Sequence, residues 1–331
     1  MLRKLTLAVT AALGIAGLAF TGLATPASAQ NGAWKPDRPI RAVVPFAAGS
    51  ATDGIARIVL DEVGKQLNQT IVIENRAGAS GTLGAQIVAT SPADGYTMLV
   101  AASSHTVTPS TFAHLPYDTA GDFTAVAPLV SIPNVIVVNA QRNYKSAKDL
   151  ADDGKKRPGS LNYASAGAGS ATHLAAERFK LAGGFVAQHV PFKGSSEAIT
   201  EMLADRIDFY ASPINAAAPL IKDGKLRALA VSSQQRAGAL PDVPTTVQAG
   251  FPDSGYEFWV GVLLPKGAPK NIVDTYHSAI TKALADPSLA KKLAELGADP
   301  MKMSPDDFSA MIVREIKANG DVVKAAGIKV N

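Results

Sequence analysis

The sequence predicts an α/β protein of two lobes, in which each lobe is a mainly parallel sheet flanked by helices and two chain crossings form a hinge. Three observations predict this fold. Short β-branched runs alternate with amphipathic stretches from Ile40 onward, which is typical of sheets covered by helices. The chain has 331 residues, more than a typical single domain. A second series of alternating elements begins near Asn134.

The first series predicts three strands and two helices. In its first helix, Ile55, Ile58, Val59 and Val63 recur at helical spacing. The strands are predicted over residues 40–46, 70–75 and 96–101, and the helices over residues 52–67 and 81–90.

The second series predicts further strands and helices of the same kind. The strands are predicted over residues 134–139, 161–166, 185–190, 207–210 and 226–232, and the helices over residues 171–181, 195–203 and 216–222. After a Pro-rich passage, a strand is predicted over residues 258–264 and three helices over most of residues 271–324. No repeat of fixed short period is visible, which argues against a solenoid.

The order of these elements divides the mature chain between two lobes. Residues 30–131 and 253–331 are assigned to the first lobe, and residues 132–252 to the second. The chain is expected to leave the first lobe near residues 131–133 and to return near residues 252–259. Two such crossings around a cleft form a hinge that allows closure on a ligand.

Residues 1–29 are predicted to be a cleavable secretory signal peptide. Arg3 and Lys4 precede an uncharged stretch over residues 5–23, and the small-x-small tripeptide at residues 27–29 predicts cleavage between Ala29 and Gln30. A membrane anchor is the alternative, but the Gly, Ala and Thr content makes the stretch weakly hydrophobic. Cleavage leaves 302 residues and lowers the formal net charge from +4 to +2.

Composition predicts a protein that is free in the periplasm. The chain has no cysteine, so it lacks the residue that would accept a lipid after the signal peptide. Basic and acidic residues are interspersed, which argues against a nucleic-acid surface. Nothing in the sequence indicates an oligomer, so a monomer is expected.

The loops after the predicted strands are rich in Gly, Ala, Ser and Thr and carry few charges. Such residues let the backbone approach a ligand and add hydroxyl groups, which suits a small carboxylate bound by dipoles and hydrogen bonds. Ordinary helix caps and turns are the alternative for any single loop, but several such loops in both halves favour binding. The candidate ligand-binding residues are Phe46, Ala47, Ala48, Ser50, Thr52, Asp53, Ser103, Ser104, His105, Gly169, Ser170, Thr172, His173, Lys193 and Ser212.

Four charged or titratable candidates each have two interpretations. Asp53 could contact the ligand or only stabilise the first turn of its helix. Lys193 could neutralise a carboxylate or be a solvated turn residue. His105 and His173 could donate to a carboxylate or be structural histidines.

Enzymatic functions find little support, and no cofactor or metal is predicted. The five histidines show no metal-binding spacing and cysteine is absent. The loop at residues 167–172 has Thr172 where a dinucleotide-binding turn needs glycine, and no phosphate-binding loop or Gly-x-Ser-x-Gly elbow is present. A periplasmic esterase acting through Ser170 and His173 is the remaining, weaker alternative.

Short motifs follow one another along nearly the whole mature chain. They are Pro45-Phe46-Ala47-Ala48-Gly49 with Asp53 and Ala56-Arg57, Asn75-Arg76-Ala77-Gly78-Ala79, Asp94-Gly95-Tyr96-Thr97, Gly169-Ser170 with His173-Leu174, Val190-Pro191-Phe192-Lys193-Gly194, Gly224-Lys225-Leu226-Arg227-Ala228-Leu229-Ala230 and Pro241-Asp242-Val243-Pro244-Thr245. With these motifs in this order, the sequence resembles the extracytoplasmic substrate-binding proteins of tripartite tricarboxylate transporters, the Bug family.

The resemblance implies a type 2-like periplasmic binding fold that closes on a small carboxylated solute. Backbone groups and ordered waters would hold the solute, which a permease made of a large and a small integral-membrane subunit would receive. A ligand-sensing subunit for a membrane histidine kinase is the alternative, because both would use the same cleft.

Two departures from the family pattern bear on the ligand. The family usually has a second glycine where this chain has Ser50, and many members carry an aspartate near Ser212 that suits a ligand ammonium group. The missing aspartate favours a ligand without an amino group, such as a dicarboxylate, a hydroxy acid or an aromatic acid.

Overall fold

The fold is taken from a computed structural model, which describes residues 34–192 and 194–328. The predicted signal peptide, its cleavage site and Lys193 lie outside the described residues. Within the described part of the chain, no helix combines the length and apolarity needed to cross a bilayer.

Eleven strands and ten α-helices are present in the described residues. In chain order the strands are β1 (Ile40–Val44), β2 (Ile71–Asn75), β3 (Thr97–Ala102), β4 (Phe123–Ile132), β5 (Asn134–Asn139), β6 (Leu161–Ser165), β7 (Ala187–Pro191), β8 (Phe209–Pro213), β9 (Leu226–Val231), β10 (Phe258–Pro265) and β11 (Asp299–Pro300). The helices are α1 (Ala51–Leu67), α2 (Thr82–Ala89), α3 (Thr108–Thr111), α4 (Ala147–Lys156), α5 (Ala171–Gly183), α6 (Ser195–Leu203), α7 (Ile214–Lys222), α8 (Lys270–Leu284), α9 (Pro287–Glu295) and α10 (Pro305–Ala325).

The strands form two sheets flanked by helices, which confirms the predicted two-lobed α/β fold. The sheets are mixed, whereas mainly parallel sheets were predicted. The first sheet has the order β11-β4-β10-β3-β1-β2, and the second has the order β7-β6-β8-β5-β9. Parallel pairing occurs in β2-β1-β3 and in β7-β6-β8. Strands β4, β5 and β10 are antiparallel to their neighbours. Strands β5 and β10 begin where the chain passes from one lobe to the other, whereas the strands beside them end there. These neighbours are therefore antiparallel, and parallel pairing is confined to the other part of each sheet.

Ser232 ties the two chain crossings together. The first crossing passes through Pro133 between β4 and β5, and the second runs from the end of β9 to the start of β10. The Ser232 N–H donates to the Asn134 carbonyl at 2.8 Å, and its hydroxyl donates to the Tyr256 carbonyl at 2.8 Å. Tyr256 N–H donates back to the Ser232 carbonyl at 2.7 Å. The side chain of Ser232 is fully buried, so these bonds fix the spacing of the crossings.

Helix α10 packs against both lobes, which the sequence analysis did not foresee. Its first half contributes Phe308 to the apolar cluster that contains Trp259 of the first sheet. Its last turns contribute Val322 and Val323 to the apolar cluster around Phe179 of the second lobe. The helix therefore forms a third connection between the lobes, in addition to the two crossings.

The sequence analysis predicts neither the short elements α3 and β11 nor the longer β4 and α4, and the two longer ones escape detection for different physical reasons. Strand β4 contains Pro128, which lies at a shift of register against β10, where no ladder hydrogen bond is needed from it. Helix α4 has few apolar residues, and its start is set by a capping box between Ser146 and Asp149. Apolar periodicity alone detects neither element.

Gly297 allows a close contact between the lobes. It lies between α9 and β11 with φ +69°, and a Cβ atom there would approach the Asn215 Cβ in α7 to 2.7 Å. We expect Gly297→Ala to lower the free energy of unfolding by about 2–4 kcal/mol, because it combines left-handed strain with overpacking. Urea unfolding measures this change.

Gly159→Ala is the matched control, since Gly159 has φ +75° with no atom within 4 Å of its added Cβ. It should cost only the strain, about 1–2 kcal/mol. Equal losses in the two variants would show that the contact with α7 contributes nothing.

Candidate ligand-binding site

The loops that the sequence singled out lie at the sheet edges nearest the hinge. Ala102, at the end of β3, pairs with Val260 near the start of β10, and Ser212, at the end of β8, pairs with Val135 near the start of β5. Strand β1 is parallel to β3, and β6 is parallel to β8. The loops after these four strands therefore face the crossings, which is where open α/β sheets bind ligands.

The loops after β1 and β6 contain the same pentapeptide. Residues 48–52 and residues 168–172 both read Ala-Gly-Ser-Ala-Thr. Ser50 and Ser170 are the N-caps of α1 and α5, and each hydroxyl accepts a backbone N–H three residues on, at 3.3 Å in both loops. The preceding glycines have φ +82° and φ +73°. The two lobes thus present one loop structure twice.

The residue after each pentapeptide accepts the N–H of the glycine. Gly49 N–H donates to Asp53 Oδ2 at 2.9 Å, and Gly169 N–H donates to His173 Nδ1 at 3.0 Å. Both side chains are buried, with 3% and 4% of their residues' surface exposed. Asp53 and His173 therefore hold the loops from behind.

Asp53 is held by a charged network in the first lobe. Arg57 Nε donates to its Oδ2 at 3.0 Å, and Asn75 Nδ2 donates to its Oδ1 at 2.8 Å. Asn75 Nδ2 also donates to the Phe46 carbonyl at 3.1 Å. Burial alone would raise the pKa of Asp53, but the hydrogen bonds from Arg57, Gly49 and Asn75 hold that pKa below its usual value. The carboxylate stays ionised, with its charge matched by Arg57.

His173 is held in the second lobe by aromatic side chains backed by a buried carboxylate. Its Nε2 lies 3.1 Å from the Tyr163 hydroxyl, which donates to Glu177. Its ring stacks on His189 with the centroids 3.8 Å apart. Burial, with smaller contributions from His189 and Lys180, lowers the pKa of His173 to about 3. The imidazole is therefore neutral at physiological pH.

The loop after β3 brings Ser104 and His105 beside Phe46. These residues line a cavity of about 10 Å³, which is room for one water molecule. His105 Nε2 donates to the Thr119 carbonyl at 3.2 Å, and its ring stacks on Tyr117. Burial lowers the pKa of His105 to about 4, so the ring is neutral and its Nε2–H is already used. His105 thus supports the loop.

Half of the described candidate site residues are at least partly exposed to solvent, and the other half are buried. Ala47 and Ala48 are exposed, and Phe46, Ser50, Ser104, Gly169 and Ser170 are half-buried. Thr52, Asp53, Ser103, His105, Thr172, His173 and Ser212 are buried. The Ser103 hydroxyl lies 3.2 Å from the Tyr256 hydroxyl, and the Ser212 hydroxyl donates to the Pro213 carbonyl at 3.2 Å.

Four residues that the sequence analysis did not select as site residues shape these loops: Asn75, Tyr163, His189 and Tyr256. They lie outside these loops, on strands β2, β6 and β7 and in the second crossing, so loop composition gives no signal for them. The repeated pentapeptide gives a signal for two other residues, Asp53 and His173. It predicts two equivalent loops, and in each loop the residue after the pentapeptide has an equivalent role.

The geometry does not support an esterase built on Ser170 and His173. Among the hydrogen bonds of the described residues, the Ser170 hydroxyl contacts the His173 backbone N–H and the Thr172 hydroxyl, whereas the imidazole is bonded to Gly169 and Tyr163. No base is therefore placed on the serine. Residues 34–192 and 194–328 also contain no group of three or more His, Cys, Asp or Glu that could hold a metal ion.

Comparison with known proteins gives consistent matches over most of the chain. The family described as "Tripartite tricarboxylate transporter family receptor" matches residues 55–328. Protein BugT of Bordetella pertussis is 34% identical over 325 residues, which cover 97% of this chain and 99% of BugT.

Two solved structures with ligands are similar over their whole length. A protein from R. palustris, solved with adipate, is 34% identical, covers 89% of this chain and 99% of its own, and has a TM-score of 0.71. MatC from Rhodopseudomonas palustris, solved with bound malate, is 32% identical, covers 87% of this chain and 99% of its own, and has a TM-score of 0.68.

His105 should make the protein less stable in acid. Its pKa in the fold is about 4 and its ordinary value is 6.5, so below about pH 6.5 the unfolded chain binds a proton that the folded protein does not. His105→Gln keeps an N–H donor for Thr119 without a titrating group. Between pH 7 and pH 4.5, the wild type should lose about 2 kcal/mol more free energy of unfolding than this variant.

Urea unfolding at both pH values measures that difference. Comparing the two proteins cancels the titration of the other groups. An equal loss of free energy of unfolding in the wild type and in His105→Gln would contradict the prediction. It would show that His105 takes up its proton while the protein is still folded.

Proposed function

We propose that this chain, which belongs to the tripartite tricarboxylate transporter receptor family, captures a small dicarboxylate between its lobes and delivers it to a membrane permease. In this proposal the protein is a binding protein and not an enzyme. The signal peptide is cleaved after Ala29, and the mature protein works in the periplasm as a monomer. The permease partner consists of a large and a small integral-membrane subunit.

The repeated loop is the observation that carries the proposal. Each copy leads into a helix whose first N–H groups have no acceptor within that helix. Those of Ala51 and Thr52 in α1, and of Ala171 and Thr172 in α5, also have no acceptor among the described residues. Free N–H groups at the positive end of a helix dipole bind carboxylates. Two such loops, one from each lobe, suit a ligand with a carboxylate at each end.

The ligands of the two similar structures support this reading, because adipate and malate both carry two carboxylates. Exposure supports it as well, since Ala47 and Ala48 leave the backbone of the first loop open to a ligand. In the second loop the exposed residue is Ala168. Phe46, Ser50, Ser104, Gly169 and Ser170 complete the proposed contact surface, with Lys193 as a proposed counter-charge. Asp53, His105, Thr172 and His173 act by shaping it.

The region near Ser212 bears on which dicarboxylate binds. This serine is buried, and its hydroxyl is bonded to the neighbouring carbonyl. Neither it nor its neighbours Ala211 and Pro213 offers the carboxylate that a ligand ammonium group needs. We therefore assign the protein to dicarboxylates, hydroxylated or not, that lack an amino group.

Calorimetry with the mature protein, residues 30–331, tests the ligand class. Succinate, malate or adipate should bind with micromolar affinity, about −8 kcal/mol, and should raise the melting temperature by mass action. Hexanoate, which has one carboxylate, should bind at least tenfold more weakly than adipate. Aspartate should bind more weakly than succinate. Aspartate binding as well as succinate would overturn the assignment by ligand class.

Proline substitutions test whether both loops bind. Ala51→Pro and Ala171→Pro each remove one free N–H at the first position of a helix, where proline is tolerated. The preceding Ser50 and Ser170 have ψ 160° and ψ 162°, as a following proline requires. Each variant should weaken dicarboxylate binding about ten- to a hundredfold, because each removes a charge-assisted hydrogen bond.

Lys270→Pro, at the first position of α8, is the control and should leave affinity unchanged. Circular dichroism and urea unfolding should show the same fold in all three variants. Full affinity in either loop variant would remove that loop from the binding site.

A further inference from the structure

We propose that His173 is the positioning residue of the second-lobe loop, and that its Nδ1 atom, as the acceptor of the Gly169 N–H, keeps the loop in the shape that binds the ligand. This inference rests on the proposed function, because it concerns the same site. It assigns to His173 a role behind the loop in place of a contact with the ligand.

The hydrogen bonds fix the tautomer of His173. A backbone N–H can only donate, so Nδ1 must be the unprotonated nitrogen that accepts the Gly169 N–H at 3.0 Å. The proton of the neutral ring is then on Nε2, which donates to the Tyr163 hydroxyl at 3.1 Å. Tyr163 in turn donates to Glu177, whose same oxygen accepts Lys180 Nζ at 2.6 Å. In this series of hydrogen bonds, the Gly169 N–H, the His173 Nε2–H and the Tyr163 hydroxyl each donate to the next group. The position of each proton is therefore fixed.

Three N–H groups of the loop are accepted by side chains from behind it. Gly169 N–H is bonded to His173, and Gly167 N–H donates to the Ser165 hydroxyl at 3.1 Å. That hydroxyl lies 2.6 Å from Nε2 of His189, the ring that stacks on His173. The third N–H, of Ala166, donates to the Thr172 hydroxyl at 2.8 Å. The stacked histidine pair therefore controls two of the three bonds.

The loop in the first lobe shows why the acceptor at position 173 is an imidazole. In that loop Asp53 accepts the N–H of Gly49, and Arg57, four positions later, neutralises its charge. Four positions after His173 stands Glu177, with its Oε1 3.9 Å from His173 Nε2. An aspartate at position 173 would face a buried carboxylate, whereas the neutral imidazole accepts the glycine N–H and donates to the Tyr163 hydroxyl, which in turn donates to Glu177. The acceptor in each loop is thus matched to the charge four residues later: the anionic Asp53 to the cation Arg57, and the neutral His173 to the anion Glu177.

The contrast between asparagine and glutamine tests the role of Nδ1. In His173→Asn the side-chain oxygen occupies the position of Nδ1 and can accept the Gly169 N–H. In His173→Gln the amide reaches the position of Nε2 and keeps the contact with Tyr163, but leaves Gly169 without an acceptor. Each variant loses one of the two hydrogen bonds, so a purely structural role would affect both alike.

Calorimetry with adipate and malate gives the main readout on the mature protein. His173→Asn should keep affinity within about threefold of the wild type, and His173→Gln should lose tenfold or more. Equal losses, or the reverse order, would overturn the proposal.

Nitrogen-15 NMR tests the same assignment without a ligand. The imidazole of His173 should show an unprotonated Nδ1 and a protonated Nε2 in the wild type. Protection of the Gly169 amide against hydrogen exchange should persist in His173→Asn and disappear in His173→Gln. A proton on Nδ1, or equal protection in both variants, would refute the inference.

These measurements separate the two proposals. A wild type that binds neither adipate nor malate would contradict the proposed function, while the tautomer and the exchange pattern would still decide the role of His173.

Discussion

The spacing of the two chain crossings determines the rest of this structure. Ser232 holds them together through bonds to Asn134 and Tyr256, all of them away from water. Because β3, β8 and their parallel neighbours end at this point, the tie also sets where the four candidate loops begin. A buried serine with its backbone and hydroxyl bonded to both crossings is costly to displace, since each broken bond would leave a polar group unpaired. These bonds therefore fix the distance between the two segments that join the lobes.

The alternation of strands and helices could be read from the sequence because it depends on local patterns. Helix α6 was predicted with its observed bounds, and most other elements were within a few residues. Strand β4 and helix α4 were missed, since a proline at a register shift and a polar helix fixed by its cap have no apolar periodicity. The attachment of α10 to both lobes was also beyond the sequence, because an amphipathic pattern does not specify which core it meets.

The candidate site also has features that the sequence predicts and features that only the structure shows. The Gly-Ala-Ser-Thr loops were predicted from composition, and the structure brings them to the hinge edges of both sheets. For Asp53, His105 and His173, the sequence alone allows either contact with the ligand or support of the loop. Their partners, such as Asn75 of β2 and Tyr163 of β6, lie outside the loops, so only the folded chain shows these side chains turned inward. The bonds of Asp53 and His173 are the reason that the two loops have the same shape despite different supports.

Helix α10 has a consequence for the order in which the protein folds. Phe308 completes an apolar cluster of the first lobe, and Val322 and Val323 complete that of the second. Between them Asn319 accepts from Arg178 of α5 at 2.7 Å and donates to Thr106 at 2.8 Å. Neither cluster is complete until residues 305–325 are available, although most of each lobe is synthesised earlier. The two lobes thus share one stabilising element, so neither core is fully packed before this helix forms.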